Sequence, residues 1–371
     1  MRTFIHFLGS LILFSCSSVK ESKPTISEEF DLFFQHQFPS DEPGGAVLIM
    51  KNDSVIFSKG YGLADMKSKE AISTKTLFNL GSISKTFVAN AILILQEQGK
   101  LSVEDSLYKY FPNFKNKQIA QKVKIKHLLT HTSGLPDNRQ VSKDTVFYLT
   151  AKDAENWYPI TQTDTLAFEP GSHYEYSNPA FNGLALIVEK VSGMKWQQFI
   201  AENIFKPSGM TTSTITDGPH PEKGVSHGYV LNHSKWTEDD YDEEPTFPAA
   251  GNGGVWSSVE ELAKYEQALK MSKFIKEETL ADSRTIQNFS NWKDFSLPFI
   301  GWSWFITKQD SLTLVGHSGS QGGFLSNYVT VPDKGIFFVI LCNAPREKYE
   351  MQQTTFYVLD ILSKHNVLGN E

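Results

Sequence analysis

Residues 82–99 read Ser-Ile-Ser-Lys-Thr-Phe-Val-Ala-Asn-Ala-Ile-Leu-Ile-Leu-Gln-Glu-Gln-Gly. Apolar side chains at 83, 87, 88, 91, 92, 94 and 95 recur at helical spacing and cover most of a helix's circumference, and Gly99 stands where a left-handed C-terminal cap belongs. A helix apolar on nearly every side belongs in the middle of a core. Its first turn nevertheless carries Ser82 and Lys85, three apart and so on one face.

Strand patterns lie on both sides of this helix. Gly45 to Met50 and Ser54 to Lys59 are β-rich runs around Asn52-Asp53, a hairpin signal. Near the other end, Leu312 to Gly316, Gly323 to Val331 and Ile336 to Leu341 read as strands, with Pro332 to Gly335 as a turn. Met351 to Leu362 and Ile26 to Phe38 read as helices, and the stretch from roughly 100 to 300 mixes short helical patterns (Ile125 to Leu129, Asn182 to Val191, Ser258 to Met271) with Pro- and Gly-bearing connections. Strands at both ends with helices between them predict an α+β chain, an antiparallel sheet with a helical lobe inserted. The acidic run Thr237 to Glu244 is expected to be a solvated loop.

Composition excludes several classes. The 371 residues are 40% hydrophobic and 21% charged, enough apolar material for a large core. Thirty-five Lys plus Arg face 42 Asp plus Glu, and no basic stripe suits phosphates, so nucleic acid is not an expected partner. The two cysteines, Cys16 and Cys342, make no disulfide framework. Arg2, the apolar run Phe4 to Phe14 and Leu13-Phe14-Ser15-Cys16 resemble a lipoprotein signal. The expected organisation is a signal peptide at 1–15, a lipid-anchored tether at 16–28 with Cys16 acylated, and one domain at 29–371. That implies export to the bacterial cell envelope, with contact to the membrane through the anchor alone. The plain alternative is a secretory signal with an incidental cysteine.

The chain lacks G-x-S-x-G, G-x-x-x-x-G-K, G-x-G-x-x-G and H-E-x-x-H motifs. Ser-x-x-Lys occurs five times, from Ser17, Ser82, Ser106, Ser192 and Ser290, but only Ser82 opens a long apolar helix. Burial there disfavours an ammonium, so Lys85 can take the serine proton as a neutral amine. The free N–H groups at the helix start can face a developing oxyanion. The bland reading makes Ser82 a cap and Lys85 a surface residue. Tyr176-Ser177-Asn178 offers a phenol and an amide, or else a polar loop. His317-Ser318-Gly319-Ser320, among glycines at 316, 319, 322 and 323, lets a strand approach a ligand closely, or forms an ordinary hairpin.

Together, Ser82-Ile83-Ser84-Lys85, Tyr176-Ser177-Asn178 and His317-Ser318-Gly319, in that order, resemble the three motifs of serine β-lactamases and penicillin-binding proteins, specifically the class C β-lactamase-related hydrolases. The stretches Phe78 to Gly81, His127 to Leu135 and Gly253 to Ser258 look like the family's as well. The resemblance implies a β-lactamase/DD-peptidase-like α/β sandwich in which Ser82 attacks a carbonyl and Lys85 and Tyr176 share the proton transfers. It further implies that Asn178 orients Lys85 and substrate, and that the N–H groups of Ser82 and Ser320, beside Gly319, form the oxyanion hole. His317 stands where the family's β-lactamases usually carry Lys, and the imidazole is charged only below about pH 6.5 unless its surroundings shift it.

The substrate class implied is a small molecule or peptide: a D-amino-acid peptide, a β-lactam or a small ester. A rival reading is a lipid-anchored protein of the same fold that binds peptidoglycan stems or β-lactams without turnover. No cofactor is expected, and a monomer is. His127 and His131 are four apart and could share a face as metal ligands, but no carboxylate accompanies them at ligand spacing, so no metal is expected. Phe299, Trp302, Trp304 and Phe305 are read as core.

Overall fold

Asn52 and Asp53 both adopt positive φ, 47° and 64°, the backbone that turns one strand tightly back on its neighbour. Strands β1 (Gly45–Lys51) and β2 (Ser54–Tyr61) flank this turn. Near the C-terminal end come β3 (Phe305–Gln309), β4 (Leu312–Gln321), β5 (Phe324–Val331) and β6 (Ile336–Cys342). The six form one sheet in the order β3-β4-β5-β6-β1-β2, antiparallel throughout. The computed structural model describes residues 23–139, 150–218, 220–221, 223–238, 247–294, 299–344 and 348–369. The expected signal peptide, Cys16 and most of the acidic run lie outside them.

The main helices are α1 (Ile26–Gln37), α2 (Ser84–Glu97), α3 (Asp153–Thr161), α4 (Asn178–Ser192), α5 (Val259–Lys270) and α6 (Lys348–Lys364). Alternation along the central strands builds two cores. Ala46, Leu48, Met50, Phe337, Val339 and Leu341 face the large core that holds α2, α4 and α5. Val47, Ile49, Ile336, Phe338 and Ile340 face a second core with Phe30 and Phe34 of α1 and Val358 and Leu362 of α6. This is the α/β sandwich expected. Thr25 and Glu28 make a capping box ahead of α1, so ordered structure begins before residue 29, inside the stretch read as tether.

Three features depart from the sequence pattern, each for a physical cause. β3 is not evident in the sequence because its first residue, Phe305, reads as one of an aromatic core group. β4 runs on to Gln321, well past Gly316, because its glycines break the apolar alternation while the backbone stays extended. The lobe between β2 and β3 is not purely helical. It holds a small sheet of Phe78–Asn79, Val255–Ser257 and Thr214–Ile215 and a hairpin of Val230–Asn232 with Lys235–Thr237.

Candidate active site

Ser82 lies in a 3-10 turn, Gly81–Ile83, that runs directly into α2. The turn is held from several sides. Gly81, at φ 50°, donates its N–H to Asn79 Oδ1 at 2.8 Å. The Leu80 carbonyl accepts the Ser326 hydroxyl of β5 at 2.7 Å. Gly319 of β4 presses against the same turn: a Cβ there would stand 2.0 Å from the Leu80 oxygen and 2.8 Å from the Ser82 nitrogen. Reciprocally, a Cβ on Gly81 would stand 2.7 Å from the Ser320 nitrogen. Two glycines thus bring the main-chain nitrogens of Ser82 and Ser320 to either side of one narrow gap.

Lys85 is fully buried, as are the α2 residues around it from Ser84 to Leu95. Its Nζ donates to Ser82 Oγ at 2.9 Å and to the Asn252 carbonyl at 2.7 Å. It also stands 5.1 Å from the Tyr176 ring centroid and 5.7 Å from that of Phe181. No carboxylate pairs with Lys85 among the described residues. Burial, aided by the positive charge of Arg139, holds its pKa well below the usual lysine value, because taking an ammonium out of water is costly without a counter-ion.

Tyr176 is half-exposed and stacks on His131, centroids 4.3 Å apart. Asn178 is the first residue of α4, whose cap is the Ser177 hydroxyl accepting the Ala180 N–H. Ser82, Asn178, Asn252, Ser320, Gln321 and Arg139 line one cleft. A roomier cavity of about 370 Å³, lined by Met50, Glu266, Arg284 and Phe337 among others, contains none of the expected site residues.

His317 departs from a cation's role. It is almost wholly buried against Phe305, and its Nδ1–H donates to the Ser318 carbonyl at 2.6 Å. Burial and the neighbouring Lys85 push its pKa down to about 3. The ring is therefore neutral at pH 7, and its Nε2, an acceptor in this tautomer, has no hydrogen-bond partner. His131 has the opposite tautomer. Its Nδ1 accepts the Ser177 N–H at 3.0 Å, leaving Nε2–H buried and unpartnered.

The family model described as Beta-lactamase matches residues 32–362. The chain belongs to the Beta-lactamase family. Among its relatives, a penicillin-binding protein of Bacillus subtilis (strain 168) is 29% identical over 340 residues, spanning 85% of this chain and 70% of that one. The octameric penicillin-binding protein homologue from Pyrococcus abyssi superposes with a TM-score of 0.73 at 27% identity, over 85% of this chain and 72% of that chain. D-amino acid amidase from Ochrobactrum anthropi, at 20% identity and a TM-score of 0.72 over 91% of this chain and 99% of that one, shares the fold. By type, then, this Beta-lactamase-family chain is a serine hydrolase.

All seven residues singled out in the three motifs of this Beta-lactamase-family domain gather at the cleft or against it. Three others escape a reading of the sequence. Asn252 sits in Gly251-Asn252-Gly253-Gly254, and that glycine density is a usable signal. Asp153 and Arg139 offer none, because their roles depend on folding, and His131, read as a possible metal ligand, stacks on Tyr176 instead. His127 and His131 do not converge: His127 Nδ1 accepts the Lys124 N–H at 3.1 Å, while His131 lies beyond the helix with φ 55°.

Proposed function

We propose that this protein opens an amide or ester bond through an acyl-enzyme on Ser82, with a D-amino-acid peptide or a small ester as substrate. The observation that carries this reading is the 2.9 Å contact between the Ser82 hydroxyl and a fully buried Lys85 whose pKa is depressed. A neutral Lys85 takes the hydroxyl proton as Ser82 Oγ attacks the carbonyl carbon. Charge then develops on the carbonyl oxygen between the N–H groups of Ser82 and Ser320, where each donor is worth roughly 10²–10³ in rate. The proton passes by Lys85 and Tyr176 to the leaving nitrogen or oxygen as that bond breaks. Water, deprotonated by the same pair, then attacks the acyl carbon, and that proton returns to Ser82 Oγ as the acid leaves. Asn178 fits the role of orienting substrate at the cleft wall.

The neutral His317 argues for the substrate class. β-Lactams present a carboxylate beside the reactive bond, and this imidazole offers an acceptor rather than a cation. Esters, and D-amino-acid peptides with no free carboxylate on the leaving group, suit it better when they present a hydrogen-bond donor there. The sequence of the first sixteen residues supports export and acylation of Cys16, which a Cys16→Ser variant tests by loss of membrane-bound protein.

Intact-protein mass spectrometry with a penicillin, a C-terminally amidated D-alanyl-D-alanine peptide and a small activated ester tests the chemistry. The expected result is a transient mass increment with the ester or the peptide, absent in Ser82→Ala. No increment and no consumed reagent would transfer the argument to a binding protein of the same fold.

A further inference from the structure

Outside the Ser82 cleft, two imidazoles and a carboxylate converge from separated stretches. His220 and His227 stack with ring centroids 4.3 Å apart and planes at 30°. His227 Nδ1 is 2.6 Å from Glu238 Oε1, and His220 Nε2 is 3.5 Å from the same oxygen. All three potential donor atoms fall within 4.8 Å of one another. His220 is packed against Phe247 and Trp256, and its Nε2 is buried with no hydrogen-bond partner. An orphaned buried nitrogen aimed at a carboxylate oxygen calls for an explanation.

We propose that His220, His227 and Glu238 bind a divalent transition metal, with zinc as the preferred ion. The donor set of two imidazoles and one carboxylate suits zinc and not magnesium or calcium, which take oxygen ligands. Zinc bonds of roughly 2.0–2.1 Å in tetrahedral geometry place donor atoms about 3.3 Å apart. The His220–Glu238 separation of 3.5 Å already suits that edge. The His227–Glu238 hydrogen bond at 2.6 Å must open by about 0.7 Å, its proton being released as the metal takes its place. Asp65 adds negative charge felt by both rings, and Glu70 adds to the field at His227. A fourth position is left for water.

The geometry fits a structural clip rather than a second catalytic centre. His220 follows the strand Thr214–Ile215, and the His227 N–H is pinned on the Ala64 carbonyl at 2.9 Å. Glu238 directly follows the hairpin strand Lys235–Thr237. One ion would therefore tie three segments together. It would do so beside the turn that ends β4, because a Cβ on Gly228 would stand 2.1 Å from the Gly322 carbonyl oxygen.

The experiment strips the full chain with a chelator, then titrates it with zinc chloride and separately with magnesium chloride by calorimetry, with metal counted by mass spectrometry. His220→Ala and Glu238→Gln are run alongside, the latter because it keeps the side chain's shape. The expected result is one zinc per wild-type chain with Kd below ~10 µM, no magnesium uptake, and at least tenfold weaker zinc binding in both variants. Zinc at about a hundredfold above the wild-type Kd should raise the wild-type Tm by ~4 °C and that of the variants by no more than ~2 °C. The proposal is overturned if wild type takes up no stoichiometric zinc. It is equally overturned if uptake persists undiminished in Glu238→Gln, which would place the ion elsewhere.

Discussion

Asp153 holds Gly251: its Oδ1 accepts the Gly251 N–H at 2.8 Å, one residue ahead of the Asn252 carbonyl that receives the Lys85 amine. The same carboxylate accepts Asn182 Nδ2 and Trp196 Nε1, each at 2.8 Å, and Asn182 also reaches Asn252 Oδ1 at 3.3 Å. A buried carboxyl on α3, its pKa pushed up to about 7 by burial against the opposing pull of these three hydrogen bonds, thereby fixes the acceptor that aims the lysine from the far side. The path from Asp153 to Ser82 runs through one loop and three hydrogen bonds.

Asp153→Asn exchanges one of those oxygens for an amide NH₂, a donor facing donors. Leaving a buried polar group mismatched costs about 1–3 kcal/mol, and hydrogen bonds to a charged group are worth about 1.5–3 kcal/mol, so destabilisation of about 2–4 kcal/mol is expected in denaturant melts at about pH 8, above the raised pKa of the carboxyl. Acylation by an activated ester should slow at least tenfold with KM nearly unchanged, because Lys85 and not the substrate loses its alignment. An acid limb moved to lower pH would mark the loss of the Asn252 acceptor, which stabilises the ammonium form. General loosening of the fold, which admits water to Lys85, would move it to higher pH instead.

Lys85 is stored strain. In the unfolded chain it keeps its proton to about pH 10.5, whereas the folded chain releases it earlier, so between those two points unfolding takes up a proton and is favoured by it. Lys85→Met, which keeps the volume and drops the charge, should be more stable than wild type at pH 7 by about 1–2 kcal/mol. The gap should narrow as pH rises toward 10.5, because that proton uptake then ceases to reward unfolding. Paired urea melts at pH 7 and 9.5 check the sign, and the same variant should form no acyl-enzyme.

What the sequence discloses, and what it withholds, follows from the range of each interaction. α2 is legible because its apolar residues repeat locally, and the hairpin because Asn52-Asp53 favours the turn it makes. Ser82 and Lys85 are legible because one helical turn sets their separation. By contrast, Asp153 meets Gly251 across 98 positions, and no local pattern marks either as a partner. The neutrality of His317 is equally hidden: it depends on burial against Phe305 in the adjoining strand and on Lys85, distant along the chain. Its place in the motif suggests a charge-dependent role that burial removes.

That neutrality has a kinetic consequence. With its pKa pushed down to about 3, His317 does not titrate between pH 5 and 8, so an acid limb in kcat/KM over that range belongs to Lys85 or to the Asp153 carboxyl behind it, which burial pushes up to about 7. His317→Gln retains a neutral hydrogen-bonding side chain and should leave the limb's midpoint unchanged, with a rate loss of no more than about tenfold from altered substrate contact. A midpoint displaced by a full pH unit would assign the titration to His317 instead. A neutral ester is the substrate to use, since its own ionisation cannot contribute.

The contact between β4 and the Ser82 turn is the tightest part of the site, and it yields the sharpest contrast between two glycines. A Cβ at Gly319 would meet the Leu80 oxygen at 2.0 Å, Ser326 Oγ at 2.5 Å and the Ser82 nitrogen at 2.8 Å. Two of these are backbone atoms, so Gly319→Ala must push the strand off the turn and widen the gap between the Ser82 and Ser320 nitrogens. Gly193, which caps α4 at φ 74° and where an added Cβ would meet nothing within 4 Å, offers the control. Gly193→Ala incurs only left-handed strain of about 1–2 kcal/mol and should acylate at the wild-type rate. Gly319→Ala should lose about 2–3 kcal/mol to overpacking. Its acylation rate should fall a hundredfold or more even under conditions where it is fully folded, because displaced oxyanion donors cost about that much each. Stopped-flow acylation of the two variants, with circular dichroism to verify folding, separates distance at the oxyanion gap from stability. Equal rates in the two would remove the Ser82–Ser320 gap from the mechanism.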